Sequence, residues 1–300
     1  MEEVVSNPLT QHLFVALMAA LVGLSISRMA LWKGYYTLPQ EIDLPRGIPD
    51  WKCVFQAFSI FLFIEMFLVP LVYGLWGYWE HGTLMDSGIA DIPEGLKGWL
   101  NLGVIGATFT ALTLFFASRD KPTRDAVWGS PKETRSIRQN LYDFLTGSIT
   151  WAIAYPWVIV IGQLLAFLLA LVYTGERSDQ AAVQHLRDIY DHPLLFGATA
   201  VAVVSIIPFI EELLFRGFLQ SWLKATFGRN KAILLTSLIF AAFHFSMSQG
   251  IENVEFISSL FLLSCFLGFV KERQRSLWAS VGLHMTFNFI SILMLLSTMD

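Results

Sequence analysis

Residues 206–217 read Ile206-Ile207-Pro208-Phe209-Ile210-Glu211-Glu212-Leu213-Leu214-Phe215-Arg216-Gly217. Two carboxylates and a guanidinium stand here in a stretch that is otherwise uncharged back to Pro193. At the centre of a membrane-spanning helix an ionisable side chain costs about 2.5–3.5 kcal/mol on insertion scales, so such groups are rare and mark functional sites. Two more apolar segments downstream carry polar groups of the same kind, in Phe240-x-x-x-His244 and His284-x-x-x-Asn288. Two carboxylates, two imidazoles, a guanidinium and an amide on three segments make a hydrolytic set that requires no Ser or Cys nucleophile.

Composition supports the membrane reading. Apolar residues make up 55% of the 300 and charged residues 15%, against about 25% charged in soluble domains. Ten Trp suit the interfacial belts at helix ends. No basic run points to nucleic acid. The two cysteines, Cys53 and Cys265, each lie in an apolar segment, which argues against a disulfide framework or a Cys-based metal site. No Lys or Arg precedes Arg28, so the N-terminus lacks the basic region of a signal peptide.

A spanning helix needs about 20 mostly apolar residues. Eight such stretches are expected, near 11–31, 53–76, 99–118, 149–173, 193–222, 231–248, 255–270 and 277–297. The fold class is thus all-α, a polytopic membrane protein of about eight transmembrane helices. Residues 1–190 supply about four of them with their loops, and residues 191–300 form a catalytic core of about four, all within one integrated membrane domain. Basic residues test the partition. Sixteen of the twenty fall in the loops after the first, third, fifth and seventh spans or at the span ends beside them, and Lys97, Arg177 and Arg187 alone lie in the others. By the positive-inside rule both termini then face away from the cytoplasm. Within 174–192, Val183, Leu186, Ile189 and Tyr190 recur at helical spacing. A short surface helix and a plain solvated connection both fit that stretch, as they fit the basic loop 119–148.

The spacings assign chemistry. Glu212 and Arg216 are i,i+4 neighbours placed for an ion pair. Glu211 points about 100° away on a regular helix, which leaves its carboxylate for substrate or water. Pro208 removes one backbone hydrogen bond just before the pair, a place for a kink. His284 and Asn288 share a face, and both can donate hydrogen bonds, as a developing oxyanion requires. Counted at 1.5 Å per residue from the nearest basic loop, Glu211 and His244 lie about 20 Å deep and His284 about 14 Å. All three fall at middle depth. Each cluster alone also reads as packing: a salt bridge, a hydrogen-bonded core histidine, an interhelical clamp.

The motifs Glu211-Glu212-Leu213-Leu214-Phe215-Arg216-Gly217, Phe240-x-x-x-His244 and Ser276-Leu277-Trp278-Ala279…His284-x-x-x-Asn288 resemble those of the CaaX-protease and bacteriocin-processing family, also called the Abi or CPBP family. The resemblance covers roughly residues 195–297. It implies an eight-helix intramembrane glutamate protease, related to the endopeptidases that remove the last three residues of prenylated CaaX proteins, with its site reached from the cytoplasm or the bilayer. By that resemblance Glu211 and His244 activate the hydrolytic water, and His284 and Asn288 form the oxyanion site. Glu212 and Arg216 support the first motif. No cofactor is implied. The partners are the lipid bilayer and a membrane-associated or lipidated peptide, and the location is an integral one, in the cell inner membrane. Two alternatives remain open on the residues. One Glu and two His are also a catalytic zinc set, although His-Glu-x-x-His is absent. A non-catalytic immunity or scaffold protein of the same fold is the other.

Overall fold

The computed structural model describes residues 8–40, 48–81, 93–129, 136–173 and 181–298, and every regular element among them is helical. In chain order these are α1 (Pro8–Trp32), α2 (Trp51–His81), α3 (Glu94–Ala117), α4 (Lys121–Trp128), α5 (Ile137–Val172), α6 (Ala181–Asp188), α7 (Pro193–Phe227), α8 (Arg229–Phe243), α9 (Asn253–Gln274) and α10 (Leu277–Leu296). Seven are long and apolar enough to cross a membrane, namely α1, α2, α3, α5, α7, α9 with the 3-10 turn that leads into it, and α10. The protein is therefore an all-α, multi-pass integral membrane protein. Its lipid-facing sides are paved with large exposed apolar groups such as Phe14, Leu31, Leu168 and Leu194.

All eight expected spans are helices. The sixth, 231–248, is the short one. Its 15 residues extend about 22 Å at 1.5 Å per residue, against a hydrocarbon core of about 30 Å. The helix stops before His244 because a polar turn follows and Asn253 staples it. The Asn253 side chain accepts from the Ser246 N–H and donates to the carbonyls of Ser246 and Gly250. The fourth span begins earlier than its apolar run. Ser136 and Gln139 form a reciprocal capping box, which starts the 36-residue α5 twelve residues before position 149.

Two prolines widen their helices. In a regular α-helix a Pro ring collides with the carbonyl four residues back. In α7 the turn before Pro208 opens to π geometry over Ala202–Ile206, and the Ile207 N–H bonds the Ala202 carbonyl five residues back. Before Pro70 of α2 the same happens over Ile64–Leu68, with the Val69 N–H on the Ile64 carbonyl. The expected kink at Pro208 is thus taken up as a π turn. A second, nine-residue π stretch, Glu212–Gln220, follows the single α turn Ile207–Glu211. Both carboxylates therefore sit at the boundary between two helix geometries, and π segments of this kind concentrate at functional sites.

The long α5 packs on α1, α9 and α10. It meets α10 backbone to backbone, since a Cβ on Gly147 would land on the Ala279 carbonyl and one on Gly282 on the Phe144 carbonyl. A second core joins α2, α3, α4, α7 and α10 through Phe58, Phe116, Phe209, Phe215, Phe218 and Trp278. In the basic connection after α3, the short α4 buries Ala126 and Val127 and stacks Trp128 on Phe116 and edge-on to Trp278. In the connection before α7, α6 buries Leu186, and Ile189 just beyond it is buried too. The basic connections meet at one end of the bundle. Arg229 donates to the Pro39 carbonyl and Arg275 to the Gln40 carbonyl, while Ser221 donates to the Ala126 carbonyl. Lys271, read from sequence as one of these loop cations, is instead buried in the last turn of α9.

Candidate active site

Glu211, Glu212, Arg216, His244 and His284 converge from α7, the end of α8 and α10. Glu212 is fully buried and its Oε1 accepts from two partners, Arg216 Nη1 at 2.9 Å and His284 Nδ1 at 2.8 Å. Arg216 is also fully buried. Its Nη2 donates to Ser264 Oγ at 2.7 Å, and its guanidinium lies over the Phe240 ring, 4.3 Å from the centroid. The ion pair expected from i,i+4 spacing is present and survives the π geometry, because α9 and Phe240 hold the guanidinium from outside the helix.

Glu211 keeps some exposure, with its side chain 20% accessible, and it forms no close ion pair. Its Oε1 lies 3.8 Å from His244 Nε2 and its Oε2 3.6 Å from His284 Nε2. These gaps exceed a direct hydrogen bond, and catalytic hydrogen bonds of a resting site are commonly this loose. Both imidazoles are oriented by their other nitrogen. His244 Nδ1 is 2.9 Å from the Phe240 carbonyl. A carbonyl only accepts, so Nδ1 carries the hydrogen and Nε2 is the nitrogen that faces Glu211. His284 Nδ1 is likewise a donor, to Glu212, and its Nε2 faces the second oxygen of Glu211.

Phe240 ties these groups together. Its carbonyl sets the His244 tautomer, its ring lies under Arg216, and it packs 4.7 Å from the His244 ring and 6.0 Å from that of His284, centroid to centroid.

Asn288 stands apart from this cluster. Its Nδ2 donates to the Val203 carbonyl at 2.9 Å. That carbonyl lacks a backbone donor, because the Ile207 N–H goes to Ala202 and Pro208 has none. One N–H of the amide thus fills the gap that Pro208 leaves, and the second remains for another acceptor.

Sequence reading missed a polar seam behind the site. On α7, Glu212, Arg216, Gln220 and Lys224 repeat at four-residue spacing, and on α9 Ser264, Gly268 and Glu272 do the same. They meet as Arg216 to Ser264, Gln220 Nε2 to the Gly268 carbonyl, and Lys224 Nζ to Glu272 Oε2 at 2.6 Å. The repeat was the available signal. Among the described residues no three His, Cys, Asp or Glu side chains are grouped so as to hold a metal ion.

Residues 193–290 match the family model of the Rce1-like type II CAAX prenyl endopeptidases. This is the family whose motifs the sequence resembles. The matched third of the chain runs from the start of α7 into α10 and contains every residue of the site. No curated protein and no solved structure matches the chain. The match supports a membrane protease of the CAAX type.

Proposed function

We propose that this chain is a metal-independent intramembrane endopeptidase in which Glu211 and His244 activate a water against a peptide bond of a membrane-associated, lipidated substrate. The observation that carries the reading is the pair of gaps on either side of Glu211, 3.8 Å to His244 Nε2 and 3.6 Å to His284 Nε2. An ionised Glu211 and a neutral His244 both present acceptors across the first gap. A water that donates one hydrogen to each satisfies both and leaves its lone pairs for the scissile carbonyl. Glu211 takes a proton as that water attacks and relays it through His244 Nε2 to the leaving amine, which returns Glu211 to the carboxylate and His244 to the neutral ring.

The oxyanion needs donors. His284 donates from Nε2 only when the ring carries both protons, and Glu212 at 2.8 Å on Nδ1 is placed to hold that charge. The free N–H of Asn288 is the second donor, and each such donor is worth about 3–4 kcal/mol. Glu212 and Arg216 serve as the support of His284. The basic end of the bundle faces the cytoplasm by the positive-inside rule, and the substrate reaches the site from that side or from the bilayer.

The test is a farnesylated CaaX-type peptide carrying a fluorophore and quencher, offered to the protein in lipid nanodiscs. Hydrolysis should persist with a chelator present and should fall at least a thousandfold in Glu211→Gln, with melting unchanged. Full inhibition by chelation would overturn metal independence. Near-normal turnover by Glu211→Gln would remove Glu211 as the base and move the role to Glu212. Absence of hydrolysis of the prenylated and unprenylated peptides alike would favour the non-catalytic alternative.

A further inference from the structure

Lys271 is a buried charge that hydrolysis as proposed leaves without a task. It is 2% exposed, and its Nζ donates to the Arg216 carbonyl and to Ser221 Oγ at 2.8 Å. Neighbouring Glu272 is occupied elsewhere, by Lys224 and Arg229.

The helix geometry explains the first of these bonds. Arg216 belongs to the π stretch Glu212–Gln220, in which each carbonyl accepts from the N–H five residues on. For Arg216 that donor is Ser221, whose N–H turns back to the Phe218 carbonyl. In a regular α-helix the donor would be the Gln220 N–H, four residues on. The Arg216 carbonyl is therefore the acceptor that the stretch would recruit if it tightened to α. The Lys271 ammonium occupies it.

We propose that Lys271 is a positioning residue, whose bond to the Arg216 carbonyl holds Glu212–Gln220 in π register and so keeps Arg216, Glu212 and His284 aligned behind Glu211. The proposal rests on the hydrolytic reading for its effect on rate, though not for its effect on geometry. Without the ammonium the Gln220 N–H takes the carbonyl and the stretch winds tighter. The residues ahead of Arg216 then rotate against α9, which draws the guanidinium off Ser264 and Glu212 off His284 Nδ1. Asn288 does the matching task at the other end, on the carbonyl orphaned by Pro208, so both flanks of the α turn that carries Glu211 are held by side chains from other helices.

The experiment uses full-length protein in nanodiscs with histidine labelled by nitrogen-15, and the farnesylated quenched peptide as probe. The Nδ1 signal of His284 is assigned by its loss in His284→Gln. Lys271→Met should lower kcat at least thirtyfold with KM within twofold, and should move the His284 Nδ1 signal away from its hydrogen-bonded position. Lys271→Arg, which restores a charged donor, should return both toward the parent. If Lys271→Met fails to fold, Lys271→Gln, with a shorter neutral donor, takes its place under the same two readouts. An unmoved His284 signal overturns the proposal, whether rate is kept or falls only with the amount of folded protein. Should Glu211→Gln prove fully active, the hydrolytic assignment fails while the His284 signal still decides the role of Lys271.

Discussion

Replacing Glu212 with Gln removes the charge opposite Arg216 while leaving an amide oxygen in the same place. Both partners of this pair have no exposed side-chain surface and lie 2.9 Å apart, so the guanidinium is left buried and uncompensated. Breaking a buried pair from one side costs about 3–5 kcal/mol. Ser264 and the Phe240 ring remain on Arg216, and a desolvated cation–π contact contributes about 2 kcal/mol. The expected loss is therefore at the lower end, about 3 kcal/mol, or more than a hundredfold in the unfolding equilibrium. Arg216→Met should cost a similar amount, since it leaves the buried Glu212 carboxylate without its cation. The double variant Glu212→Gln/Arg216→Met removes both charges and should be destabilised by at least about 2 kcal/mol less than the sum of the singles. The assay is equilibrium unfolding of the four proteins in mixed micelles against rising denaturing detergent. Additive losses in the double variant would refute the coupling and with it the account of how Arg216 is held. Because Glu212 also fixes His284 Nδ1, each single variant should lose hydrolysis beyond its loss of folded protein.

Three further expectations concern other parts of the bundle. Asn288→Ala leaves the Val203 carbonyl without a donor, a loss of about 1–3 kcal/mol, and should lower the maximal rate about a hundredfold with little change in KM; a stability loss with normal turnover per folded molecule would leave Asn288 a clamp only. Gly147→Val places atoms inside the α10 backbone at Ala279 and should destabilise by more than the usual 1–3 kcal/mol of overpacking, whereas the same change at Gly103, where a Cβ meets nothing, should be nearly silent; equal effects would refute the close crossing. A cysteine placed at Lys121, whose side chain is 73% exposed at the basic end, should react with an impermeant maleimide only from the cytoplasmic side, and labelling from the opposite side would invert the orientation.

Much of the fold was legible because its determinants are local. The apolar length of a segment and the clustering of Lys and Arg at alternate loops are properties of short stretches, and they located the seven long apolar helices and the shorter α8, with the basic connections at one end. The pairing of Glu212 with Arg216 was legible for the same reason, being a matter of helical spacing. Misreadings arose where polarity and structure part company. The start of α5 carries Arg138, Gln139, Asn140 and Asp143 and so looks like loop, yet a capping box begins the helix there. Lys271 looks like a loop cation and is buried.

The sequence by itself determined the class of protein, the elements and the chemical types available to the site. The tertiary structure alone decided which nitrogen of each histidine faces Glu211, that α8 stops short at His244, and that Glu211 lies between two π stretches. Where a helix leaves a carbonyl without its backbone donor, a side chain from elsewhere supplies one. Here the donors are Asn288, 85 positions from Val203, and Lys271, 55 positions from Arg216. No local pattern announces such partners, because they meet only once α9 and α10 have packed against α7.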